Sequence, residues 1–386
     1  MTRTIGRKTA TLGAAALTAV TALASFALID QNAGAQQESP AEAVPAQDCG
    51  AGDYNAVVEG SGGSYSTTNG GEEVYSGGDY REAIQAGIGS LTPGRGQQES
   101  VVVHASGGIG TGVIDLPSRT SLSVCGTIDV GNAPGRGSIE ATDAEDVSVP
   151  HLNMTGSPYF GLRFHGMDGL HLGQIDLNLS GGLGIRFDRD EPGSTDVTMD
   201  DVFVSGTDNH GVETWNVDGL EIGTITARDV AYAGLLLNNT RNARIGTVDG
   251  ENVATGTGYA TFRMANENGN LGGGNYSTNI EVDNVISRGG GRGVFCVSQS
   301  GGALIRNVDL ADNGNNSILI ENCYGVTIEG GTVEGGGEVR IAARSEFSNT
   351  RDVSITLEVD GTSVRESPCG ENIEWNISGN ASVDVC

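Results

Sequence analysis

The sequence predicts an all-β fold, a right-handed parallel β-helix whose amino-terminal end is capped by a helix. Two observations lead to the solenoid. A short frame, apolar-x-apolar-x-x-apolar, recurs along the chain, and its first positions lie most often 23 residues apart. The 386 residues include 62 glycines and only 5% aromatic residues, too few for a bulky sandwich core. Helical solenoids use longer repeats with less glycine, so each repeat indicates one coil of a narrow cylinder filled by stacked Val, Ile and Leu.

The first 48 residues indicate a targeting segment followed by a linker. A basic start, an apolar run and Ala33-Gly34-Ala35 are typical of a secretory signal peptide, assigned here to residues 1–35. A retained membrane anchor is the alternative, and the Ala- and Thr-rich run fits it less well. Residues 36–48 form a polar linker and 49–386 a single β-helix domain. We therefore expect a secreted, extracellular protein with no membrane contact after signal cleavage.

Charge excludes several classes of function. Removing residues 1–35 takes away three of the 21 basic and one of the 49 acidic residues, which leaves a net charge of −30. Nucleic acid would be repelled, so we expect no nucleic-acid partner. Lys8 is the only lysine, so the mature chain has no lysine base or Schiff-base former.

The region before the repeats predicts a cap. Residues 79–91 carry apolar side chains at helical spacing and precede a Pro-Gly turn. An uncapped first coil would expose core and strand edges, so we interpret this helix as the amino-terminal cap. Regular coils are predicted over 137–360.

Each repeat also contains an earlier five-residue strand. Side chains alternate between the two faces of a strand, so the apolar second and fourth positions, such as Leu162 and Phe164, face inward. The third and fifth positions face outward, where any chemistry would lie. The third positions are Arg163, Arg186, Glu213, Leu236, Thr261, Phe295, Leu319 and Arg340. The fifth positions are His165, Asp188, Trp215, Asn238, Arg263, Val297, Glu321 and Ala342.

Six cysteines follow the signal peptide, and an even count in an exported protein indicates three disulfides, with 15 arithmetically possible pairings. Cys49–Cys125 would tether the cap. Cys296–Cys323 would join stacked coils, because Cys323 lies about one period further along. Cys369–Cys386 would close the tail.

At this point the sequence resembles the pectin-lyase-like family of right-handed parallel β-helix proteins. The resemblance rests on the 23-residue coil, the cap helix and the secreted context, and it covers about residues 79–360. The family includes polysaccharide lyases, polygalacturonase-type hydrolases, epimerases, adhesins and phage tailspikes. The resemblance therefore implies a fold, and a function only by analogy.

Active-site signatures of the family are altered here. A Gly-His-Gly with a neighbouring Asp-Asp is usual in polygalacturonase-like enzymes, whereas this chain keeps only His-Gly at His210. Its Asp200-Asp201 lies in the later strand of the repeat. Pectate lyases commonly use Arg and Lys with calcium, and lysine is absent. No family residue is carried over.

The outward ladder predicts a sugar-binding trough. Glu213 and Trp215 lie two residues apart and so face the same side, and a sugar ring is commonly held by stacking on an indole beside a carboxylate. Insertions at 188–195 and 266–278 follow the same strand and would wall the trough. Its floor would be Trp215 and Asn238, with Tyr259 among the substrate-binding residues. The alternative is that a loop covers Trp215 as local core.

Inverting hydrolysis is one route that the ladder permits. Asp188 and Glu213 lie one coil and two residues apart, which places their Cα atoms about 8 Å apart. An inverting glycosidase fits a water between two carboxyl groups about 6.5–9.5 Å apart. Asp208 and His210, in the turn before Glu213, would supply or tune a further proton-transfer group.

β-Elimination on a uronate is the rival route. Arg163, Arg186 and Arg263 would neutralise the substrate carboxylate, because arginine grips a carboxylate with two hydrogen bonds. His165 or His210 would act as base. No cofactor is certain, and calcium is the one candidate.

Two alternatives compete with the enzyme hypothesis. In the first, the arginines only form ion pairs with Asp188 and Glu213. In the second, the protein is a non-catalytic carbohydrate-binding or surface β-helix protein. The favoured function is cleavage of an acidic or pectin-like polysaccharide by a lyase or glycoside hydrolase. The expected partner is an extracellular polysaccharide, and the expected state is a monomer.

Overall fold

A computed structural model describes residues 48–386 of the chain. The predicted signal peptide and residues 36–47 of the linker lie outside the described residues. The first elements are β1 (Ala56–Ser61), β2 (Ser64–Asn69), β3 (Glu72–Gly77), α1 (Tyr80–Gly89), β4 (Glu99–Val103), β5 (Gly107–Gly110), β6 (Ile114–Asp115), β7 (Thr120–Val124), β8 (Ile128–Val130) and β9 (Gly137–Thr142).

Long and short strands then alternate along the chain. They are β10 (Glu145–Gly156), β11 (Phe160–His165), β12 (Asp168–Leu179), β13 (Leu183–Phe187), β14 (Ser194–Ser205), β15 (Val212–Trp215), β16 (Val217–Arg228), β17 (Leu235–Asn238), β18 (Arg241–Glu251), β19 (Ala260–Ala265) and β20 (Ile280–Arg288). The last are β21 (Arg292–Cys296), β22 (Gly301–Ala311), β23 (Asn316–Glu321), β24 (Tyr324–Ile328), β25 (Gly331–Glu334), β26 (Glu338–Ala342), β27 (Arg351–Asp360), β28 (Ser363–Glu366), β29 (Glu371–Ser378) and β30 (Ser382–Asp384).

Two long sheets run along the solenoid. Sheet A has 18 strands, and sheet B has 12, namely β6, β9, β11, β13, β15, β17, β19, β21, β23, β26, β28 and β30. Antiparallel pairing in the described chain is confined to β1–β2 and β2–β3, and successive coils pair in parallel in both sheets. This arrangement confirms the parallel β-helix that the sequence and the resemblance predict. Strands β28–β30 continue the coils beyond residue 360.

The apolar-x-apolar-x-x-apolar frame marks a bend in each long strand of sheet A. In β12, Leu170 and Leu172 point into the core, and Ile175 and Leu177 do so after the bend; all four are at most 2% exposed. The strand pairing skips Gly173 at the bend. Alternation turns every second side chain inward, so the three-residue step from Leu172 to Ile175 resets the phase at the bend.

The register of β19 differs by two residues from the sequence prediction. Leu236 of β17 pairs with Arg263, and Asn238 pairs with Ala265. Arg263 therefore occupies the third position and Ala265 the fifth. The prediction that put Thr261 and Arg263 at these positions is wrong.

The physical reason lies at the first position, where most strands of sheet B have glycine. A Cβ on Gly234 would lie 2.8 Å from the carbonyl oxygen of Thr261, its counterpart in the next coil. Thr261 fits there because Gly250 of β18 leaves room: a Cβ on Gly250 would lie 2.5 Å from Cγ2 and Oγ1 of Thr261. The Thr261 hydroxyl also hydrogen-bonds the Ser287 hydroxyl at 2.7 Å. In this coil the small residue is Gly250 on β18 and not the first residue of the sheet B strand. An alignment that follows the glycine at the first position therefore places this coil in the wrong register.

Helix α1 lies within the predicted 79–91 segment and ends two residues earlier. Its amino terminus is capped by Asp79, whose side chain accepts a hydrogen bond from the Glu82 N–H at 2.9 Å. Tyr80, Ile84 and Ile88 are buried in the main core cluster. That the helix caps the open end of the solenoid stays a prediction.

The three disulfides are the predicted ones. Cys49–Cys125, Cys296–Cys323 and Cys369–Cys386 have Cα–Cα distances of 5.4, 6.2 and 5.8 Å. Within residues 48–386, no helix has both the length and the apolar character needed to cross a membrane.

Candidate functional site

The outward third positions of sheet B form one row along the solenoid. Strand pairing aligns Asp115, Glu140, Arg163, Arg186, Glu213, Leu236, Arg263, Phe295, Leu319, Arg340, Arg365 and Asp384. The inward neighbours Phe164 and Phe187 are 0% and 1% exposed, which confirms the register predicted for the early coils. We call the surface that carries this row the outer face of sheet B.

Acidic and basic side chains alternate in the first coils of the outer face. Arg163 contacts Glu140 at 3.3 Å and Asp188 at 2.5 Å. Arg186 contacts Asp188 at 3.3 Å through Nε and Glu213 through Nη1. The result is a chain of ion pairs running Glu140–Arg163–Asp188–Arg186–Glu213. Of the two interpretations of Arg163 and Arg186, these contacts favour pairing with neighbouring carboxylates.

Glu140 anchors this chain and is itself 4% exposed. Burial raises the pKa of its carboxyl group, but hydrogen bonds from Arg136 and from the Gly137 N–H outweigh burial and lower the pKa overall. Its carboxylate therefore stays ionised, which suits a structural ion pair.

Both carboxylate oxygens of Glu213 are engaged by neighbouring side chains. Its Oε1 accepts a hydrogen bond of 2.7 Å from the indole Nε1 of Trp215 and one of 3.4 Å from Asn238 Nδ2, while Oε2 contacts Arg186. The side chain is 6% exposed. Arg186 thus stands between Asp188 and Glu213, where an inverting hydrolase would need a free water. Trp215 and Glu213 face the same side because they lie two residues apart on β15, and there they form a hydrogen-bonded pair.

Asn238 does not form the floor of an open trough. It is 1% exposed, donates to the Thr214 carbonyl at 3.2 Å and accepts from Asn266 at 2.8 Å. Its amide satisfies buried neighbours, so the prediction that it lines the floor is corrected. Trp215, in contrast, is half-buried.

His210 is poorly suited to act as a base. Its Nδ1 accepts a hydrogen bond from the Ala233 N–H at 3.0 Å, which places the proton of the neutral ring on Nε2. Burial, followed by the nearby charges of Arg263 and Arg186, lowers the pKa of His210 to about 3. The ring is therefore neutral near pH 7, and its basic nitrogen is already occupied.

The other two predicted proton-transfer residues, His165 and Asp208, each have contacts of their own. His165 Nδ1 is 3.8 Å from Asp143 Oδ1, at the edge of the ion-pair chain. Asp208 is exposed, and its Oδ1 accepts the Gly182 N–H at 2.8 Å, which stabilises the turn between two coils. Neither contact brings these side chains to Glu213.

An arginine–tyrosine patch lies at the amino-terminal ends of the middle strands of sheet B. We define it as Tyr232, Tyr259, Arg263, Arg292 and Phe295. The rings of Tyr232 and Tyr259 stack at 4.8 Å with an angle of 14°. Arg263 Cζ lies 4.5 Å from the Tyr259 ring and 5.1 Å from the Phe295 ring, and Arg292 Cζ lies 4.7 Å from Phe295. The sequence prediction named Tyr259 and Arg263 and missed the other three.

Neither guanidinium group of the patch forms an ion pair within 4.0 Å in residues 48–386, although the charge of Glu213 acts on Arg263 and that of Glu321 on Arg292. Burial lowers the pKa of both Arg263 and Arg292 below the usual value for arginine, although neither loses its charge near neutral pH. Arg292 does donate from Nε to Asn316 Oδ1 at 3.2 Å. The patch can therefore offer two half-buried positive charges to an anion.

A second feature, the Trp215 cleft, lies at the carboxyl-terminal ends of the same strands. It has a volume of about 370 Å³ and is lined by Arg189, Trp215, Asn216, Asn239, Asn266, Glu267, Ser298, Gln299 and Phe347. Arg189 comes from the first predicted insertion, while Asn266 and Glu267 come from the second. Both insertions thus border one cleft, as the trough hypothesis requires.

Calcium has no evident ligand set here. Residues 48–386 contain no group of three or more His, Cys, Asp or Glu side chains placed to hold a metal ion. Asp188 and Glu213, the carboxylates of the predicted site, are engaged by arginines. Calcium as a cofactor stays a prediction, and no step is derived through it.

Comparison with known proteins gives one structural likeness. No protein-family model matches the chain, and no curated protein does. A search of solved structures found the A-module of mannuronan C-5 epimerase AlgE4 from Azotobacter vinelandii, with 12% sequence identity and a TM-score of 0.40. The match covers 80% of this chain and 94% of that module.

Proposed function

We propose that this protein is a secreted carbohydrate-active enzyme that binds and cleaves an acidic polysaccharide on the outer face of sheet B. The observation that carries the proposal is the pair Arg263 and Arg292. A charge without a close ion-pair partner in a half-buried site costs stability, so its presence favours a ligand that supplies the opposite charge. Arg163 and Arg340 of the same row are, in contrast, paired with carboxylates.

A uronate unit fits the chemistry of the patch. Its carboxylate would accept hydrogen bonds from the two guanidinium groups, which recognise carboxylates through paired N–H donors. The stacked rings of Tyr232 and Tyr259 offer an apolar platform for the sugar ring beside them. Attraction between the charges is strengthened because the site is half-buried.

β-Elimination is the reaction that this arrangement supports best. A base removes the proton on the carbon next to the carboxylate, the electron pair forms a carbon–carbon double bond, and the bond to the leaving glycosidic oxygen breaks. Arg263 and Arg292 would stabilise the negative charge that develops on the carboxylate. Tyr259, whose ring lies against Arg263, is the proton-transfer candidate because His210 has its basic nitrogen occupied. Inverting hydrolysis by Asp188 and Glu213 fits less well, because Arg186 holds both carboxylates.

The test is product release from a panel of acidic polysaccharides, including polygalacturonate and alginate. Elimination leaves an unsaturated sugar whose ultraviolet absorbance rises with time. We expect this rise with the wild-type protein and its loss in Arg263→Ala. Arg306→Ala is the matched control, because it removes the same charge from an exposed ion-pair cluster with Glu281 and Asp283. New reducing ends without the absorbance would instead indicate hydrolysis.

A non-catalytic carbohydrate-binding protein is the second candidate. It is favoured by Glu213, whose two carboxylate oxygens are both engaged. Such a protein would bind an acidic polysaccharide and release no product of either kind. Binding that depends on Arg263, measured without any turnover, would establish this candidate.

Localisation and oligomeric state form part of the same proposal. Three disulfides suit an oxidising compartment and therefore secretion. We propose a monomer, which light scattering of the secreted protein would test.

A further inference from the structure

The Trp215 cleft differs in chemistry from the arginine–tyrosine patch. Its walls carry two aromatic side chains, Trp215 and Phe347, and between them lie amides and a hydroxyl. A volume of about 370 Å³ is within the range of small-molecule sites, which is about 300–1,000 Å³.

Several polar groups of the cleft have no protein partner within residues 48–386. They are the side-chain oxygens of Asn239 and Asn266, the Ser298 hydroxyl, and the side chains of Glu267 and Gln299. Asn239 uses only its NH2 group, which donates to Asn216 Oδ1 at 2.7 Å. The cleft therefore presents both donors and acceptors to a ligand.

The backbone of the cleft carries side chains where glycine would be less strained. Asn216, Asn239, Asn266, Glu267, Ser298 and Gln299 have φ values of 57°, 43°, 56°, 60°, 57° and 60°. Glutamate, serine and glutamine are uncommon in this left-handed region, where glycine has no steric cost. Twelve other non-glycine residues of the described chain also have positive φ, ten of them Asn or Asp, so the cleft is distinguished by the Glu, Ser and Gln at these positions.

The charge of the cleft argues against a second uronate. Arg189 is paired with Asp190 at 3.1 Å, and it lies over the Trp215 ring at 5.6 Å. Glu267 has no cationic partner in the described chain. Because the charge of Arg189 is balanced by Asp190, the charge of Glu267 leaves the cleft with a net negative charge. A carboxylate would be repelled there, whereas the hydroxyls of a neutral sugar would find amide and hydroxyl partners.

We infer that the Trp215 cleft is a subsite for a neutral sugar unit of the polysaccharide. The ring would stack its apolar face against Trp215 and Phe347 once the exposed Arg189 side chain moves aside. Its hydroxyls would bond to Gln299, Asn239 and Asn266. The inference rests on the proposed function and extends it to a mixed polysaccharide. An acidic unit would bind at the amino-terminal ends of the strands and a neutral unit at their carboxyl-terminal ends.

Binding of neutral oligosaccharides tests the inference directly. The chain has two tryptophans, so a Trp375→Phe background leaves Trp215 as the reporter of fluorescence. The probes are hexasaccharides of xylan, cellulose, mannan and galactan, with chitosan and polygalacturonate oligomers for comparison. We expect at least one neutral hexasaccharide to change the fluorescence of Trp215 with saturation.

Variants show whether the cleft is responsible. Gln299→Ala and Phe347→Ala are expected to weaken binding of the neutral hexasaccharide by about tenfold each. Asn307→Ala is the matched control, because this exposed amide bonds Asn284 on sheet A, away from the cleft. Gln299→Ala replaces one solvent-accessible side chain, so it keeps the test valid if Phe347→Ala unfolds.

The outcomes separate this inference from the proposed function. Neutral binding that persists in Arg263→Ala and is weakened about tenfold in Gln299→Ala would support the cleft, whatever happens with acidic substrates. Tighter binding of chitosan than of any neutral probe would overturn the neutral assignment. The absence of binding by all neutral probes, or equal binding by the Gln299 and Asn307 variants, would overturn the subsite.

Discussion

The indole N–H of Trp215 donates a 2.7 Å hydrogen bond to Glu213, two residues before it on the same strand. The second tryptophan does likewise, since Trp375 Nε1 donates to Glu366 at 2.9 Å. In both pairs the glutamate is nearly buried, at 6% and 7% exposure. A carboxylate beside an indole is therefore, in this protein, a nearly buried hydrogen-bond acceptor, within one strand at Glu213 and between two consecutive strands at Glu366.

This relationship predicts that Glu213 matters for stability. In Glu213→Ala, the indole N–H of Trp215 loses its hydrogen-bond acceptor and the guanidinium group of Arg186 loses one carboxylate. Breaking a nearly buried ion pair costs about 3 kcal/mol. We expect urea unfolding to show a loss of that size in the free energy of unfolding. Glu267→Ala is the control and should change stability by no more than about 0.5 kcal/mol, because its carboxylate is exposed and has no partner in the described chain. Equal losses in the two variants would contradict the structural role of Glu213.

The contact between Gly250 and Thr261 predicts a measurable coupling. A Cβ on Gly250 would lie 2.5 Å from the Thr261 side chain, so Gly250→Ala should cost about 1–3 kcal/mol in stability. In a Thr261→Gly background the clash is gone, and the cost of the same change should fall to less than about 1 kcal/mol. A double-mutant cycle by chemical unfolding measures the difference. Additive costs would show that the two residues do not share the space.

The buried ring of His210 predicts a pH-dependent stability. Its pKa is lowered from 6.5 to about 3, so the unfolded chain takes up a proton at higher pH than the folded protein does. Stability therefore falls as the pH drops below 6.5. Between pH 7 and pH 5 the loss should be about 2 kcal/mol larger in the wild type than in His210→Gln. Parallel unfolding curves for the two proteins at both pH values would refute the lowered pKa.

Arginine geometry, beyond charge alone, should matter in the arginine–tyrosine patch. Arg263→Lys keeps the charge but loses the planar fork and the stacking on Tyr259 and Phe295, so affinity for an acidic polysaccharide should fall about tenfold. Calorimetric titration of wild type, Arg263→Lys and Arg263→Ala measures this order. If lysine binds as well as arginine, the patch supplies only a diffuse positive charge.

Alternation of side chains was sufficient to predict much of the fold. Leu162 and Phe164 are inward because a strand points every second side chain to the same face, and the cysteine spacing matched the coil period closely enough to predict Cys296–Cys323. The alignment of β19 was wrong because sequence patterns follow the glycine of each strand. They do not detect that Gly250, on the adjacent sheet, makes room for Thr261.

The site was harder to predict than the fold. Sequence placed Asp188, Arg186 and Glu213 on one face, yet which of them pair depends on side-chain reach between coils. Tyr232 and Arg292 were missed because they precede the outward positions. Phe295 was placed at an outward third position but was not named as a site residue. Alignment of the turns before each strand would have placed Tyr232 beside Tyr259.

The central claim is that the outer face of sheet B holds an acidic polysaccharide through Arg263 and Arg292. The most direct measurement is calorimetric affinity for the acidic polysaccharide that binds wild type best, compared between two double variants of equal charge. Arg263→Ala with Arg292→Ala should lose about a hundredfold in affinity, whereas Arg288→Ala with Arg306→Ala, on sheet A, should stay within about twofold. Equal affinity in the two double variants, or no acidic polysaccharide bound by the wild type, would contradict it.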